Sequence, residues 1–196
     1  MLNLNEFMQG GQVAVYGLAG NPPHAGHWEC VKYLINQGFK VLITPSYSHA
    51  FGKTMAPFDL RVKWLSESGR DFPGYRKHFL VWDVEKRLYF GAPVYSINIL
   101  DFLRKETGVS GVLAIGPDNA VADVFAKFKN SSRISSEYGV VVTPEIPNVR
   151  STWIRQQITE GKGSELSALI SDKIIREVVD YYRKSVPNHN PLVKLK

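Results

Sequence analysis

The feature that most constrains this chain is the segment Gly17 to His27, GLAGNPPHAGH, set between the apolar run Val13 to Tyr16 and a stretch with helical periodicity. A buried strand, a turn rich in glycine and proline, and an amphipathic helix in that order predict a β-turn-α unit. Gly17, Gly20 and Gly26 let the backbone take positive φ or approach a ligand closely, while Pro22 and Pro23 stiffen the turn. Beyond it Trp28, Val31, Leu34 and Ile35 recur at helical spacing until Gly38, a C-cap candidate, so His27 falls in the helix's first turn. Free amides and the positive end of the helix dipole favour an anion there. His24 and His27, aimed at the same spot, are suited to hydrogen-bond a triphosphate and to steady its charge as pyrophosphate leaves.

The rest of the chain alternates strand-like and helix-like segments. Strands are predicted at Val13 to Tyr16, Phe39 to Thr44, His78 to Val84, Gly111 to Ile115 and Gly139 to Thr143. Helices are predicted around Trp28, from the turn holding His27 up to Gly38, and over Pro57 to Ser68, Ser96 to Glu106, Asp118 to Phe128, Ser151 to Glu160 and Asp172 to Arg183. Such alternation predicts an α/β fold: a doubly wound, Rossmann-like parallel sheet with helices on both faces and a helical C-terminal region. The last helix carries Ile174, Ile175, Val178, Val179 and Tyr182 as an apolar stripe, read as core.

Ligands of such sheets bind beyond the carboxyl ends of the strands, which gives the remaining candidates a test of position. Asp118 directly follows the run Val112 to Gly116, where a carboxylate can accept hydrogen bonds from both hydroxyls of a ribose or can cap the next helix. Ser151, Thr152 and Arg155 open a helix and share a face at its N-terminus, a second anion-binding end, with a guanidinium able to grip phosphate oxygens in pairs. Their plainer reading is a serine cap beside a solvated arginine. His49 and Lys53 lie in the loop after the second strand, placed either to cover phosphates or simply in solvent. Arg61 is either a ligand-side cation or a structural one, paired with Asp83 or Glu85.

Taken together these motifs resemble the nicotinate and nicotinamide mononucleotide adenylyltransferases of the HxGH nucleotidyltransferase superfamily. The resemblance runs from about Val13 to Tyr182: NPPHAGH from Asn21 to His27, Arg61 and its neighbours, APVYSINIL from Ala92 to Leu100, IGPDN from Ile115 to Asn119, and STWIR from Ser151 to Arg155 follow in the family's order. It implies adenylyl transfer from ATP to a pyridine mononucleotide in NAD biosynthesis, with Mg²⁺ accompanying the ATP. His24, His27 and Arg155 are then the catalytic set. Gly17, Lys53, Gly116, Asp118, Ser151 and Thr152 are the nucleotide contacts, Gly116 letting adenine pass close to the backbone. Tyr95 and Ser96 meet the acceptor's pyridine substituent, and Phe128 stands, with two extra residues allowed before it, where many bacterial members place a stacking tryptophan. Trp82 is a further stacking candidate. The chain departs from the pattern at Leu18, Ala19 and Gly20, where relatives carry Gly-Ser/Thr-Phe, and at Arg150, where the family has a serine. Nicotinate is the expected acceptor over nicotinamide. Another HxGH nucleotidyltransferase, such as a pantetheine-phosphate adenylyltransferase, and a non-catalytic nucleotide-binding module are the alternatives.

Composition sets the outer bounds. With 196 residues, 44% hydrophobic and 21% charged, the chain is long enough for one full core, read as a single domain over residues 1–186 with a loose polar tail over 187–196. A single cysteine, Cys30, rules out an intramolecular disulfide and a Cys-based zinc site, in keeping with a reducing, cytoplasmic location. The N-terminal MLNLNEFMQGGQ lacks a basic region followed by an apolar one, and no run approaches the roughly 20 apolar residues of a membrane span. The net charge of +6 is dispersed along the chain, without the basic stripe of a nucleic-acid binder. The apolar C-terminal helix leaves a symmetric homo-oligomer open. No GxxxxGK[ST] occurs, which excludes a P-loop kinase.

Overall fold

The computed structural model describes residues 4–48, 54–147, 149–162 and 166–184. Five strands, β1 (Gln12–Leu18), β2 (Phe39–Pro45), β3 (Phe79–Val81), β4 (Val112–Ile115) and β5 (Val140–Val142), form one wholly parallel sheet in the order β3-β2-β1-β4-β5. The first helices are α1 (Leu4–Met8), α2 (Ala25–Asn36), α3 (Phe58–Gly69), α4 (Val84–Leu88) and α5 (Ser96–Thr107). After β4 come the single turns α6 (Pro117–Ala120), α7 (Ala122–Phe125) and α8 (Ser131–Arg133), the last continuing as a π-helical turn over Ile134–Tyr138. The described chain ends with α9 (Ser151–Thr159) and α10 (Ile175–Lys184). This is the expected doubly wound fold. The tail 187–196 and Lys53, His49 and Phe51 lie outside the described residues.

Strand geometry explains why both faces of the sheet are covered. Side chains alternate sides along a strand, so Val13 and Val15 enter one core with Leu42, Leu80, Leu100 and Leu113, while Ala14 and Tyr16 enter the other with Trp28, Val31, Leu34, Ile43 and Phe79. A third cluster joins the C-terminal helices to α3: Trp64, Ile154, Ile158, Ile174 and Val178 are all fully buried. The stripe read from the last helix is therefore core, as expected. The indole Nε1 of Trp64 also donates to Glu177 at 2.9 Å.

Three elements differ from expectation. The strand expected over His78 to Val84 is paired only over Phe79–Val81, because β3 is an edge strand bonded to β2 alone and Val84 already opens α4. The helix expected over Asp118 to Phe128 breaks at Val121, which takes an extended conformation (φ −59°, ψ 130°). No residue of α6 or α7 is buried, so no apolar face holds the two turns in line. The last helix starts at Ile175, with turns over 172–174.

At the carboxyl edge of the sheet, loops are held by buried polar groups. Arg61, on α3, is 1% exposed and meets no carboxylate: its Nε and two Nη atoms donate to the carbonyls of Ala56 (2.8 Å), Ala19 (2.6 Å) and Ser46 (2.7 Å). In place of an ion pair with Asp83 or Glu85, Arg61 bonds these carbonyls and acts on Glu85 only through its charge; the Glu85 carboxylate accepts the Tyr47 N–H at 2.7 Å. Replacing Arg61 with Met strands three acceptors without their donor, and each buried group so stranded costs about 1–3 kcal/mol. Arg61→Met is accordingly expected to lose about 3 kcal/mol or more of unfolding free energy. A urea midpoint matching the wild type would refute the staple.

Candidate active site

The order of the sheet reverses between β1 and β4, and a cleft of about 980 Å³ opens at their carboxyl ends. Eleven of the residues singled out from the sequence line it: His24, His27, Arg155, Gly17, Gly116, Asp118, Ser151, Thr152, Tyr95, Ser96 and Phe128. They come from five separate chain segments. Lys53, the twelfth, is outside the described residues.

The turn after β1 owes its shape to small residues and to one asparagine. Gly20 sits at φ +58°, and a Cβ there would lie 2.9 Å from Leu65 Cδ1. Gly26 packs so closely under the His24 ring that a Cβ would stand 3.1 Å from it. Asn21, 5% exposed and followed by a cis peptide to Pro22, accepts the Ala56 N–H (2.9 Å) and the Tyr182 hydroxyl (2.6 Å) through its side-chain oxygen. Its role was not legible from the motif, because both partners are remote in sequence.

His24 is the N-cap of α2 and His27 its third residue; their rings lie 3.8 Å apart, and the His24 N–H reaches His27 Nδ1 at 3.2 Å. His24 is 6% exposed, and its Nδ1 is buried with no hydrogen-bond partner. Burial, reinforced by the Arg150 charge, lowers the His24 pKa to about 4. Burial, with His24 adding to it, also holds His27 well below the ordinary histidine value. Both rings are thus neutral near pH 7 in the unliganded protein.

Facing them is the N-terminus of α9. Arg155 donates to the carbonyl of Asn21 at 2.7 Å and to the Thr152 hydroxyl at 3.2 Å, and Ser151 donates to the carbonyl of Pro22 at 2.9 Å. Ser151 therefore ties α9 to the histidine turn and does not cap its own helix; the N-cap is Arg150. At the end of β4 the N-cap of α6 is Gly116, leaving Asp118 inside the first turn, where its carboxylate meets Arg150 at 2.9 Å. A Cβ on Gly116 would touch nothing within 4 Å, so this glycine leaves open space in the cleft.

The other end of the cleft holds Tyr95 and Ser96 at the start of α5, the half-buried Phe128, and Lys129, whose Nζ lies 4.7 Å from the Tyr95 ring centre. Trp82 is not among these. It is buried in the core beside Phe102, which removes it as a stacking candidate. Glu85 lines the cleft unforeseen, 4% exposed and with its carboxyl pushed up to about 7, mainly by burial. Among the described residues no three histidine, cysteine or acidic side chains are grouped to hold a metal, and no helix is long and apolar enough to cross a membrane.

Ionisation of His24 sets a pH window. Its folded pKa of about 4 lies below the ordinary histidine value of 6.5, so the unfolded chain binds more protons between those values and stability falls as pH drops from 6.5 towards 4. Glu85 acts oppositely: with a folded pKa of about 7 against 4.5, its contribution is present at low pH and lost as pH rises through 7. Comparing His24→Gln with wild type cancels the Glu85 part. Between about pH 7.5 and about pH 5 the urea midpoint of the variant is expected to fall less than that of the wild type; equal falls would mean that His24 is not held neutral by burial.

No family model matches the chain. A curated relative from Anaeromyxobacter dehalogenans, described as "Probable nicotinate-nucleotide adenylyltransferase", is 27% identical, spanning 87% of this chain and 96% of its own length. A crystal structure from Vibrio parahaemolyticus, assigned to the nicotinate-nucleotide adenylyltransferases, superposes with a TM-score of 0.72 at 27% identity, over 86% of this chain and 99% of that one. The Plasmodium falciparum nicotinic acid mononucleotide adenylyltransferase, solved with NaAD, reaches a TM-score of 0.70 over 88% and 98% of the two chains; at 12% identity this likeness is one of fold. The similarity to nicotinate-nucleotide adenylyltransferases thus runs nearly the length of both chains, in sequence as well as in fold.

Proposed function

We propose that the protein transfers the adenylyl group of ATP to nicotinate mononucleotide, forming the dinucleotide and pyrophosphate. The observation that carries this reading is the pair His24 and His27, stacked at the N-terminus of α2 and both lining the cleft. Imidazole N–H groups and the free amides of a helix N-terminus are partners of the right kind for phosphate oxygens. The nicotinate form of the acceptor is supported by the name of the relative that spans most of the chain.

In this reading the adenosine lies at the end of β4, with adenine over Gly116 and the ribose hydroxyls on Asp118. The triphosphate lies between the N-termini of α2 and α9. The acceptor's ring lies by Phe128 and its pyridine substituent by Tyr95 and Ser96. An oxygen of the acceptor's 5′-phosphate attacks the α-phosphorus of ATP in line; the new P–O bond forms as the bond from the α-phosphorus to the bridging oxygen breaks, and pyrophosphate departs towards His24, His27 and Arg155. A phosphate monoester is already nucleophilic near neutral pH, so the protein's contribution is positioning and charge stabilisation, with no covalent intermediate. The approaching polyanion raises both histidine pKa values, so rings that are neutral in the empty cleft become donors when charge accumulates on the leaving group. Arg155 is held ready by Asn21 and Thr152.

The accessible carboxylates of the cleft, Asp118 and Glu145, both face Arg150, at 2.9 and 3.7 Å. Magnesium is therefore assigned to the substrate, carried on triphosphate oxygens and water, where it withdraws charge from the phosphates.

The test is pyrophosphate release from Mg-ATP with nicotinate and nicotinamide mononucleotides supplied separately. Release is expected with both or one, and faster with the nicotinate form; none with either would move the reading to another acceptor or to a non-catalytic nucleotide binder. His27→Ala, folded by circular dichroism, is expected to turn over about 10²–10³-fold more slowly. Near-normal turnover in that variant would remove the histidines from the mechanism.

A further inference from the structure

Arg150 stands where the motif of the resembling family carries a serine, and it lines the cleft. It is the N-cap of α9, and its guanidinium reaches α6 to bond Asp118 at 2.9 Å. A second nitrogen stands 3.7 Å from Glu145. Its positive charge is also felt at His24. The guanidinium therefore bonds the carboxylate assigned to the ribose and acts on a histidine assigned to the phosphates, in a cleft that all three line.

We infer that Arg150 is a second guanidinium for the triphosphate, held by Asp118 and handed to the phosphates when the ribose takes that carboxylate. The inference rests on the adenylyl-transfer reading above. The two side chains of the pair are 62% and 63% exposed, so the pair is solvent-screened and weak and is readily exchanged. A ribose bound to Asp118 displaces the guanidinium from its acceptor. The nearest stronger acceptor is then the triphosphate, which offers more charge and paired oxygens that suit the planar fork of an arginine. Arg150 is a binding and positioning residue in this scheme, acting beside Arg155 from the same helix end.

The exchange predicts effects of opposite sign on two halves of one substrate, which a merely structural arginine would not produce. Adenosine must break the Arg150–Asp118 pair and finds no phosphate to re-house the cation, whereas pyrophosphate gains the cation directly. Binding of adenosine, pyrophosphate and Mg-ATP to wild type, R150S and R150K, measured by titration calorimetry, tests this. R150S restores the family's residue. It is expected to bind pyrophosphate and Mg-ATP about 10-fold more weakly and adenosine more tightly. R150K, keeping the charge without the fork, is expected to fall between the two for pyrophosphate. Loss of affinity for all three ligands alike in R150S, or unchanged affinity for pyrophosphate, would overturn the exchange. Failure of wild type itself to bind Mg-ATP and pyrophosphate would instead overturn the adenylyltransferase reading, so the two failures are distinguishable.

Discussion

The active-site cleft depends on a buried cation whose hydrogen bonds all go to backbone carbonyls. Arg61 collects three carbonyls, from the turn after β1, the loop after β2 and the approach to α3, and so ties together the segments that leave the sheet where the cleft opens. Carbonyl dipoles in place of a carboxylate mean that no single segment can move away without leaving both a buried donor and a buried acceptor short of a bond. Asn21 extends the same network, joining Ala56 and Tyr182 through its side chain and Arg155 through its backbone. Apolar packing brings the layers together but has no direction of its own. Hydrogen bonds of this kind fix where the histidine turn stands relative to the end of α9.

That precision matters because the cleft works with charges that are largely latent. Both histidines are neutral when the cleft is empty, Glu85 is held towards its protonated form, and the exposed Arg150 is occupied by carboxylates. Two helix N-termini supply a fixed positive bias in the meantime. A polyanionic ligand brings the charge that makes the other groups ionise or change partner, so the strongest interactions of the proposed reaction arise only once substrate is present. Burial, the same force that stabilises the fold, sets this latency by depressing the histidine pKa values.

Several misreadings of the sequence have a common origin. Helix and strand extents at Asp118 to Phe128 and His78 to Val84 were over-long because local periodicity does not say whether a neighbour exists to bury the face in question. Val121 has none, and Val84 leaves an edge strand for a helix. Trp82 looked available for stacking because an aromatic in a strand carries no mark of which layer covers it; it lies in the core against Phe102. Arg61 looked in need of an acid because the carbonyls that satisfy it belong to loops, and backbone acceptors leave no trace in a sequence.

What the sequence determined by itself was whatever rests on local pattern: the order of strands and helices, the parallel sheet that this alternation requires, the histidine turn on a helix N-terminus, and the motifs at strand ends. These follow from residue type and spacing within a dozen positions, where backbone geometry acts directly. The tertiary structure alone decided the partners: that Arg61 answers three carbonyls, that Ser151 reaches back to Pro22, that Asp118 meets Arg150, that Glu85 is buried in the wall of the cleft. Most of these join residues remote in the chain, and burial and electrostatics depend on distance in space, which many folded-chain contacts set together and no single segment encodes.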